Sequence, residues 1–570
     1  MSYVDAMLDK AKDRIFVVER NSDGQRVYTD YPAEFVFYYD DLRGKHQTIY
    51  RNPVTRVSTN SRKEFHKEMK IHSGRQLWES DTNPVFRSLE KYYGGKDSPK
   101  LHTCFFDIET AFDLTLGYAP VEDPFNPITA ITVYLDWIDK LITLAVPPAS
   151  MSMESALEVA GKFTDTFLFE READMLDTFL GIIDDADVLS GWNSEGYDIP
   201  YTIGRIVRKL SKNDTRRLSL WDQLPSKREY ERFGAQHITY DITGRVHLDY
   251  MQLYRKYTYE ERHSYSLDAI SEYELNEHKL AYEGTLDQLY NQDFYKFIDY
   301  NRQDVVLLGK LDKKLKFLDL ANELAHENTV LLQTTLGAVA VTDQAIINEA
   351  HKLNLIVPDR KHELNDRTVY SDDNDSDEDG DNVETRAAGA YVAIPKHGTH
   401  EYIGAIDINS LYPSAIRACN MSPETIVGQL RPIMTDRHTK EKMADKFVGK
   451  RKMKGSSFAA AWDGLFGSLE YQAVMNCEVG TEITVDWETG VTEILSAVEV
   501  YDVIFKSNRP WILSANGTIF SVVNEGVIPG LLRRWYSERK ELQAKKVEAT
   551  ELENGFDIDD ELIAEIRKFL

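Results

Sequence analysis

Asp407-Ile408-Asn409-Ser410-Leu411-Tyr412-Pro413-Ser414 closes an apolar run, Tyr402-Ile403-Gly404-Ala405-Ile406, with a carboxylate. The run predicts a strand, and Pro413 after a tight turn predicts the opening of a helix. This order sets a carboxylate at a strand end, facing backbone N–H groups at a turn and helix start. Such a place suits a metal-bound triphosphate: the carboxylate holds the cation and the amides hold phosphate oxygens. Tyr412 can close the floor under a sugar ring.

Further toward the N-terminus lie three more acid-bearing stretches. Phe105-Phe106-Asp107-Ile108-Glu109-Thr110 ends an apolar strand with two acids. Residues i and i+2 of a strand share a face, so both carboxylates can reach one metal site. Gly191-Trp192-Asn193-Ser194-Glu195-Gly196-Tyr197-Asp198 runs from a strand into a glycine-bearing turn and an Asp. In Tyr300-Asn301-Arg302-Gln303-Asp304 the Tyr and the last Asp stand at i and i+4, on one face of a helix. Hydrolysis of a phosphodiester needs an activated water and a stabilised leaving oxyanion, and two divalent cations about 4 Å apart supply both. Hard Mg²⁺ takes carboxylate oxygens and keeps positions open for water and phosphate.

The string D-x-x-S-L-Y-P-S at Asp407–Ser414 resembles the first palm motif of family B DNA polymerases. The three earlier stretches resemble, in order, the D-x-E, N-x-x-x-Y/F-D and Y-x-x-x-D motifs of DnaQ-like 3′→5′ exonucleases, Asn193 and Tyr197 filling the second. The resemblance implies that Asp107, Glu109, Asp198 and Asp304 are the exonuclease metal ligands, that Tyr300 orients the attacking water, and that Asn193 and Tyr197 contact DNA. In the palm it implies Asp407 and the Ile408 carbonyl as metal ligands. Ser410 and Leu411 amides would meet the incoming triphosphate, and Tyr412 would exclude a ribose 2′-OH. Leu532–Lys540 resembles the start of the fingers helix, with Arg539 matching the arginine that holds the triphosphate; Arg suits bidentate phosphate contact. Gln543 stands where phage enzymes often carry a second base. The implied cofactor is Mg²⁺, two per active site, with Mn²⁺ as the alternative.

The expected fold class is α/β and α+β multidomain: an RNase H-like (DnaQ-like) exonuclease domain plus an incomplete family B palm and fingers. The expected domains are 1–100 (with 317–370 returning to it), exonuclease 101–316, an acidic disordered loop 371–386, a partial palm 387–525 with an insertion at about 431–512, and the first part of the fingers, 526–570. Strands are predicted at Thr103–Ile108, Ile128–Leu135 and Val188–Trp192. Helices are predicted at Glu170–Ile183, Pro200–Leu210 and Asp293–Leu315. A hairpin is predicted from Gln236–Tyr240, a turn at Asp241–Gly244, and Arg245–Leu248. Phage relatives keep a strand-separating hairpin between these exonuclease motifs, so Arg232, Phe233 and Tyr240 are its candidate wedge residues.

The chain has 570 residues, 42% apolar, and three cysteines, too few and scattered for a disulfide framework or zinc site. No run of eighteen apolar residues predicts a membrane span, and no signal-peptide pattern opens the chain. The net charge of −27 argues at first against a nucleic-acid binder. The charge is partitioned, however. Eight acids and no base lie in 372–384, and eight bases against two acids in 437–454. Neither the family's second fingers string, K-x-x-x-N-S-x-Y-G, nor its second palm string, Y-x-D-T-D-S, occurs. The expectation is therefore a replicative polymerase in two polypeptides, acting in the cytoplasm of an infected bacterial host. A second chain would complete palm, fingers and thumb and reach any sliding clamp. Primer–template DNA, single-stranded 3′ ends and dNTPs would be the substrates. A stand-alone exonuclease with a polymerase remnant, a non-catalytic module gripping primer ends, and a truncation of a longer enzyme are the competing readings.

Overall fold

A computed structural model describes residues 1–113, 115–232, 235–360, 397–408, 410–431 and 469–555. The acidic run 372–384, the proposed disordered loop and the basic run 437–454 lie outside the described residues. The chain divides into two compact units, Met1–His46 with Pro53–Asn348 and Ile356–Asp359, and Gln47–Asn52 with Glu349–Leu355 and Arg360–Leu570.

The first unit is built around a six-stranded sheet. Its order across the sheet is Thr166–Leu168, Lys140–Ala145, Ile128–Leu135, Thr103–Thr110, Val188–Ser190, Val246–His247. Thr103–Thr110 runs antiparallel to Ile128–Leu135, which runs antiparallel to Lys140–Ala145; Thr103–Thr110 is parallel to Val188–Ser190. This mixed arrangement is RNase H-like. The central strand is buried on both faces, and side-chain alternation divides it. Cys104, Phe106 and Ile108 enter one core with Met175, Leu176 and Phe179 of the helix Glu172–Ile182 and Ile199, Ile203 and Ile206 of the helix Asp198–Lys209. Phe105 points the other way, into a core with Val305, Leu308 and Leu311 of the helix Phe294–Leu315. Asp107 and Glu109 share the parity of Phe105, so they emerge on the side of that long helix.

The long helix starts with Asp293, whose side chain accepts from the Lys296 N–H, and stops at Lys316 in the left-handed region. Packed before the central sheet are the antiparallel strands Ser2–Asp9, Arg14–Arg20 and Arg26–Pro32. Residues 322–330 contact this N-terminal part. Tyr3 Oη donates to the carbonyls of Ala325 and Val330, and Asn322 Nδ2 donates to Pro99 O. Arg20 joins the two layers: its guanidinium is buried against Asp187, with Nε–Oδ2 at 2.7 Å.

The hairpin differs from the expectation. Its strands are Ser226–Arg232 and Ala235–Asp241, while Val246–His247 joins the large sheet beside Val188–Ser190. The partner strand is S-K-R-E-Y-E-R, too charged for its alternation to be read as a strand, which shifted the predicted register.

The second unit carries a five-stranded antiparallel sheet in the order Thr492–Ser496, Glu482–Trp487, Ile426–Leu430, Thr518–Ser521, Trp511–Leu513. Leu430, Ile483, Val485 and Ile519 form its core with Val500 and Ile504. Two expectations fail here. Tyr402–Ile406 forms no strand: its residues are exposed, and no neighbouring strand among the described residues supplies the hydrogen bonds a strand requires. The helix after Asp407 is Leu411–Ala418, so Pro413 occupies its third position rather than its first. Both positions lack an intrahelical N–H partner, so proline fits either.

Candidate active site

Asp107 and Glu109, one residue apart on the central strand, meet Asp304 from the long helix. One carboxylate oxygen from each lies within 4.8 Å of the other two. Asn301 and Asp304 lie at i and i+3 on the helix face turned toward the sheet, and Asn301 Nδ2 donates to Asp107 Oδ2 at 2.7 Å. Asp198 opens its helix at the end of the adjacent parallel strand. Its Oδ1 accepts from the Ile108 N–H at 3.2 Å, which sets it beside the same strand end.

The turn that delivers Asp198 is tightly made. Gly191 approaches the central strand so closely that a Cβ there would lie 2.9 Å from the Phe106 carbonyl. Asn193 takes a positive φ of 60°. Asp249 holds the turn from outside the centre: Oδ1 accepts from the Asn193 N–H at 3.0 Å and Oδ2 from the Glu195 N–H at 3.2 Å. Tyr197 Oη lies 3.2 Å from Thr110 Oγ1, and its ring stacks on Tyr201.

The electrostatics follow from crowding like charges away from water. Burial, then the neighbouring carboxylates, push Asp107 well above the ordinary carboxylate range. Burial and Asp304 push Glu109 up to about 8. Burial pushes Asp198 up to about 7, against the pull of the Ile108 N–H, and Asp304 up to about 6, against the pull of Lys279. Lys279 is a cation drawn into this group: Nζ lies 2.6 Å from Asp304 Oδ2 and 4.9 Å from the Tyr300 ring centroid. Burial lowers the affinity of Lys279 for its proton, but Asp304 and Tyr300 outweigh it and hold the ammonium charged. Tyr300 also meets Tyr282 edge to face at 5.2 Å.

A cluster of hard oxygens with raised proton affinity is a group that a divalent cation can relieve. Among the described residues Asp304 Oδ1 is buried without a hydrogen-bond partner, so a donor oxygen is left over for such an ion. The residues therefore fit a divalent metal.

Lys279, Asn301 and Asp249 were not read from the sequence. Lys279 lies in a polar loop without periodicity, and Asn301 is hidden inside the Y-x-x-x-D spacing. Asp249 sits before Tyr250–Tyr257 like any N-cap residue, which it also is.

The palm-like residues occupy the second unit. Asp407 is exposed, as are Ile408, Leu411 and Tyr412, while Ser410 precedes its helix with a φ of 53°. Arg539 is exposed on the helix Val527–Gly555. The base of that helix is latched to the Ser422-Pro423-Glu424-Thr425 turn. Glu424 Oε1 accepts from the Val527 N–H at 2.6 Å, and Asn420 Oδ1 from the Gly526 N–H at 2.9 Å. Arg417 lies over the Tyr536 ring at 4.4 Å, joining the two helices. Of the hairpin candidates, Phe233 and the Arg232 side chain lie outside the described residues. Tyr240 is paired with Lys227 near the base and packs against the core beneath the sheet. That is the anchored end of the hairpin, a poor place for a wedge.

The exonuclease-domain model of DNA polymerase family B matches residues 53–270, and the DNA polymerase family B model matches residues 333–554. The chain belongs to DNA polymerase family B. Tyr300 and Asp304 fall between the two matches; the fold brings them to the centre. The DNA-directed DNA polymerase of Escherichia phage RB69 is 28% identical over 426 residues, 70% of this chain and 44% of that protein. That of Enterobacteria phage T4 is 29% identical over 288 residues, 50% of this chain and 30% of that one. The DNA polymerase delta catalytic subunit of Bos taurus is 26% identical over 378 residues, 62% of this chain and 31% of its own length. The chain thus spans less than half the length of the relatives it matches.

Proposed function

We propose that this chain is the part of a proofreading DNA-directed DNA polymerase that removes nucleotides from the 3′ end and carries the first parts of palm and fingers. The observation behind this reading is the meeting of Asp107, Glu109 and Asp304 beside Asp198. Asp107, Glu109, Asp198 and Asp304 would hold two Mg²⁺ ions, with Mn²⁺ as the alternative. Bound there, these supply an activated water and charge stabilisation for the leaving 3′ oxygen. Asn301 orients Asp107 through its amide. Lys279 offsets part of the negative charge and, with Tyr300, borders the place where an attacking water would be oriented. Asn193 and Tyr197, on the turn held by Asp249, would meet the terminal nucleotides of a single-stranded 3′ end.

In the palm, Asp407 and the Ile408 carbonyl would hold metal. The Ser410 and Leu411 amides and Arg539 would hold the phosphates of a dNTP, and Tyr412 would face its sugar. Templated synthesis on primer–template DNA needs a second palm acid, which a second polypeptide would bring together with the rest of the fingers and the thumb, a sliding clamp being reached through it. The setting would be the cytoplasm of an infected bacterial host; among the described residues no helix is long and apolar enough to cross a membrane.

The test is digestion of a 3′-recessed, 5′-labelled primer–template in Mg²⁺. Stepwise shortening from the 3′ end is expected, and Asp304→Ala should abolish it. Shortening that persists undiminished in Asp304→Ala would remove the proposed centre from the reaction.

A further inference from the structure

Asn301 stands inside the 22-residue helix Phe294–Leu315, three residues before Asp304. Asparagine is a weak helix former, and here it is fully enclosed, with 0% of its surface open to water. Among the described residues its Oδ1 has no hydrogen-bond partner, which adds the cost of a buried, unsatisfied acceptor. An apolar side chain of the same size would avoid that cost. What the asparagine supplies is one bond, from Nδ2 to Asp107 Oδ2 at 2.7 Å.

The other two aspartates are engaged in the same one-sided way. Lys279 Nζ lies 2.6 Å from Asp304 Oδ2, while Asp304 Oδ1 is buried without a hydrogen-bond partner among the described residues. Asp198 Oδ1 accepts from the Ile108 N–H at 3.2 Å. Each aspartate thus has one oxygen held by a donor of the protein. A carboxylate oxygen that already accepts a short, charge-assisted hydrogen bond is a weaker ligand and is closed to a cation on that side. Such one-sided carboxylates sort ions by size. Mg²⁺ is small, keeps near-octahedral order and retains water, so one oxygen from each carboxylate serves it. Ca²⁺ is larger, takes more ligands and readily uses both oxygens of one carboxylate.

We infer that Asn301 is a positioning residue for the choice of ion: by engaging Oδ2 it presents Asp107 to a cation through one oxygen and so favours Mg²⁺ over Ca²⁺. The inference rests on the exonuclease reading of this centre. Loss of the donor frees Oδ2 to share in holding a larger ion, and takes from Asp107 the orientation that suits the smaller one. Asn301 is the neutral side chain among the three donors, so it can be replaced without changing the charge of the centre.

The experiment is calorimetric titration of the whole chain, free of DNA, with Mg²⁺ and with Ca²⁺. The proteins are the wild type, Asn301→Leu, Asn301→Ala and Asp304→Ala, the last accounting for ions bound elsewhere. In Asn301→Leu the Kd for Mg²⁺ is expected to rise about ten-fold, as for loss of a group that orients a metal ligand. The Kd for Ca²⁺ is expected to change by less than about two-fold, because the freed oxygen compensates. Asn301→Ala removes the same donor with a smaller side chain and gives the same shift in the ratio, which separates loss of the bond from a misfit of leucine. Equal changes for both ions, or no change for either, overturn the inference, as does a wild-type titration identical to that of Asp304→Ala. Excision of a single-stranded 3′ end by the wild type in Mg²⁺ is measured alongside. Its absence overturns the exonuclease reading, and the inference with it; excision together with an unchanged ion ratio in the Asn301 variants overturns the inference alone.

Discussion

Asp107, Glu109, Asp198 and Asp304 hold protons more strongly than free carboxyls because burial disfavours their charged forms, to which the neighbouring carboxylates of the cluster add at Asp107 and Glu109. Without divalent metal, the folded chain therefore binds more protons than the unfolded chain between the ordinary carboxyl values near pH 4 and the raised values of about 6 to 8. Stability from these groups is present below the unfolded values and is lost as pH rises through the folded ones. In EDTA the melting temperature is expected to fall between pH 5 and pH 8, and Glu109→Gln should flatten that fall. A flat wild-type profile would show that the cluster is less crowded than described. Lys279→Met removes the ammonium beside Asp304, so its loss of melting temperature in EDTA should be larger at pH 8 than at pH 6. The acids were legible because strand and helix spacing put i, i+2 and i, i+4 residues on one face. Lys279 and Asn301 were not, because their approach depends on packing between elements distant in sequence.

The helix Asp198–Lys209 carries Asp198 at its first position and Arg205 two turns on. Arg205 is fully enclosed, its Nε 2.7 Å from Glu172 Oε1 and its Nη1 2.8 Å from Pro124 O. Glu172 Oε1 also accepts from the Ile128 N–H at 2.8 Å, so one carboxylate joins this helix to the strand Ile128–Leu135. Glu172→Ala would leave a guanidinium buried without its counter-charge. It is expected to destabilise the first unit by about 3–5 kcal/mol, measurable by urea unfolding. A loss below about 1 kcal/mol would mean that water reaches Arg205. The long helices and central strands of this unit were readable from periodicity, since apolar spacing there is uninterrupted. The hairpin register was not, because a charged strand gives no apolar alternation. Tyr402–Ile406 read as a strand from its composition, yet a strand exists only where another supplies hydrogen bonds.

At the scale of the molecule, the candidate hydrolytic centre and the Asp407–Ser414 segment belong to separate compact units. Separate units carry separable chemistry, so a change in one centre should leave the other intact. The family was legible from four short motifs, because each sets reactive groups at a spacing that a strand or helix turns into geometry. The sheet spanning Ile426–Ser521 was readable only as β-rich, since short strands between polar turns do not reveal which pairs with which. Asp198→Ala is expected to stop 3′ excision and, once the further palm residues are supplied, to leave primer extension within about two-fold of wild type. The most direct measurement follows a labelled primer–template in Mg²⁺ with the wild type and with Asp198→Ala, both checked for folding by melting temperature. The expected result is 3′ shortening by the wild type and loss of at least about a thousand-fold in the variant, as for removal of a ligand that holds catalytic metal. Shortening by a folded Asp198→Ala protein at near the wild-type rate would contradict the account.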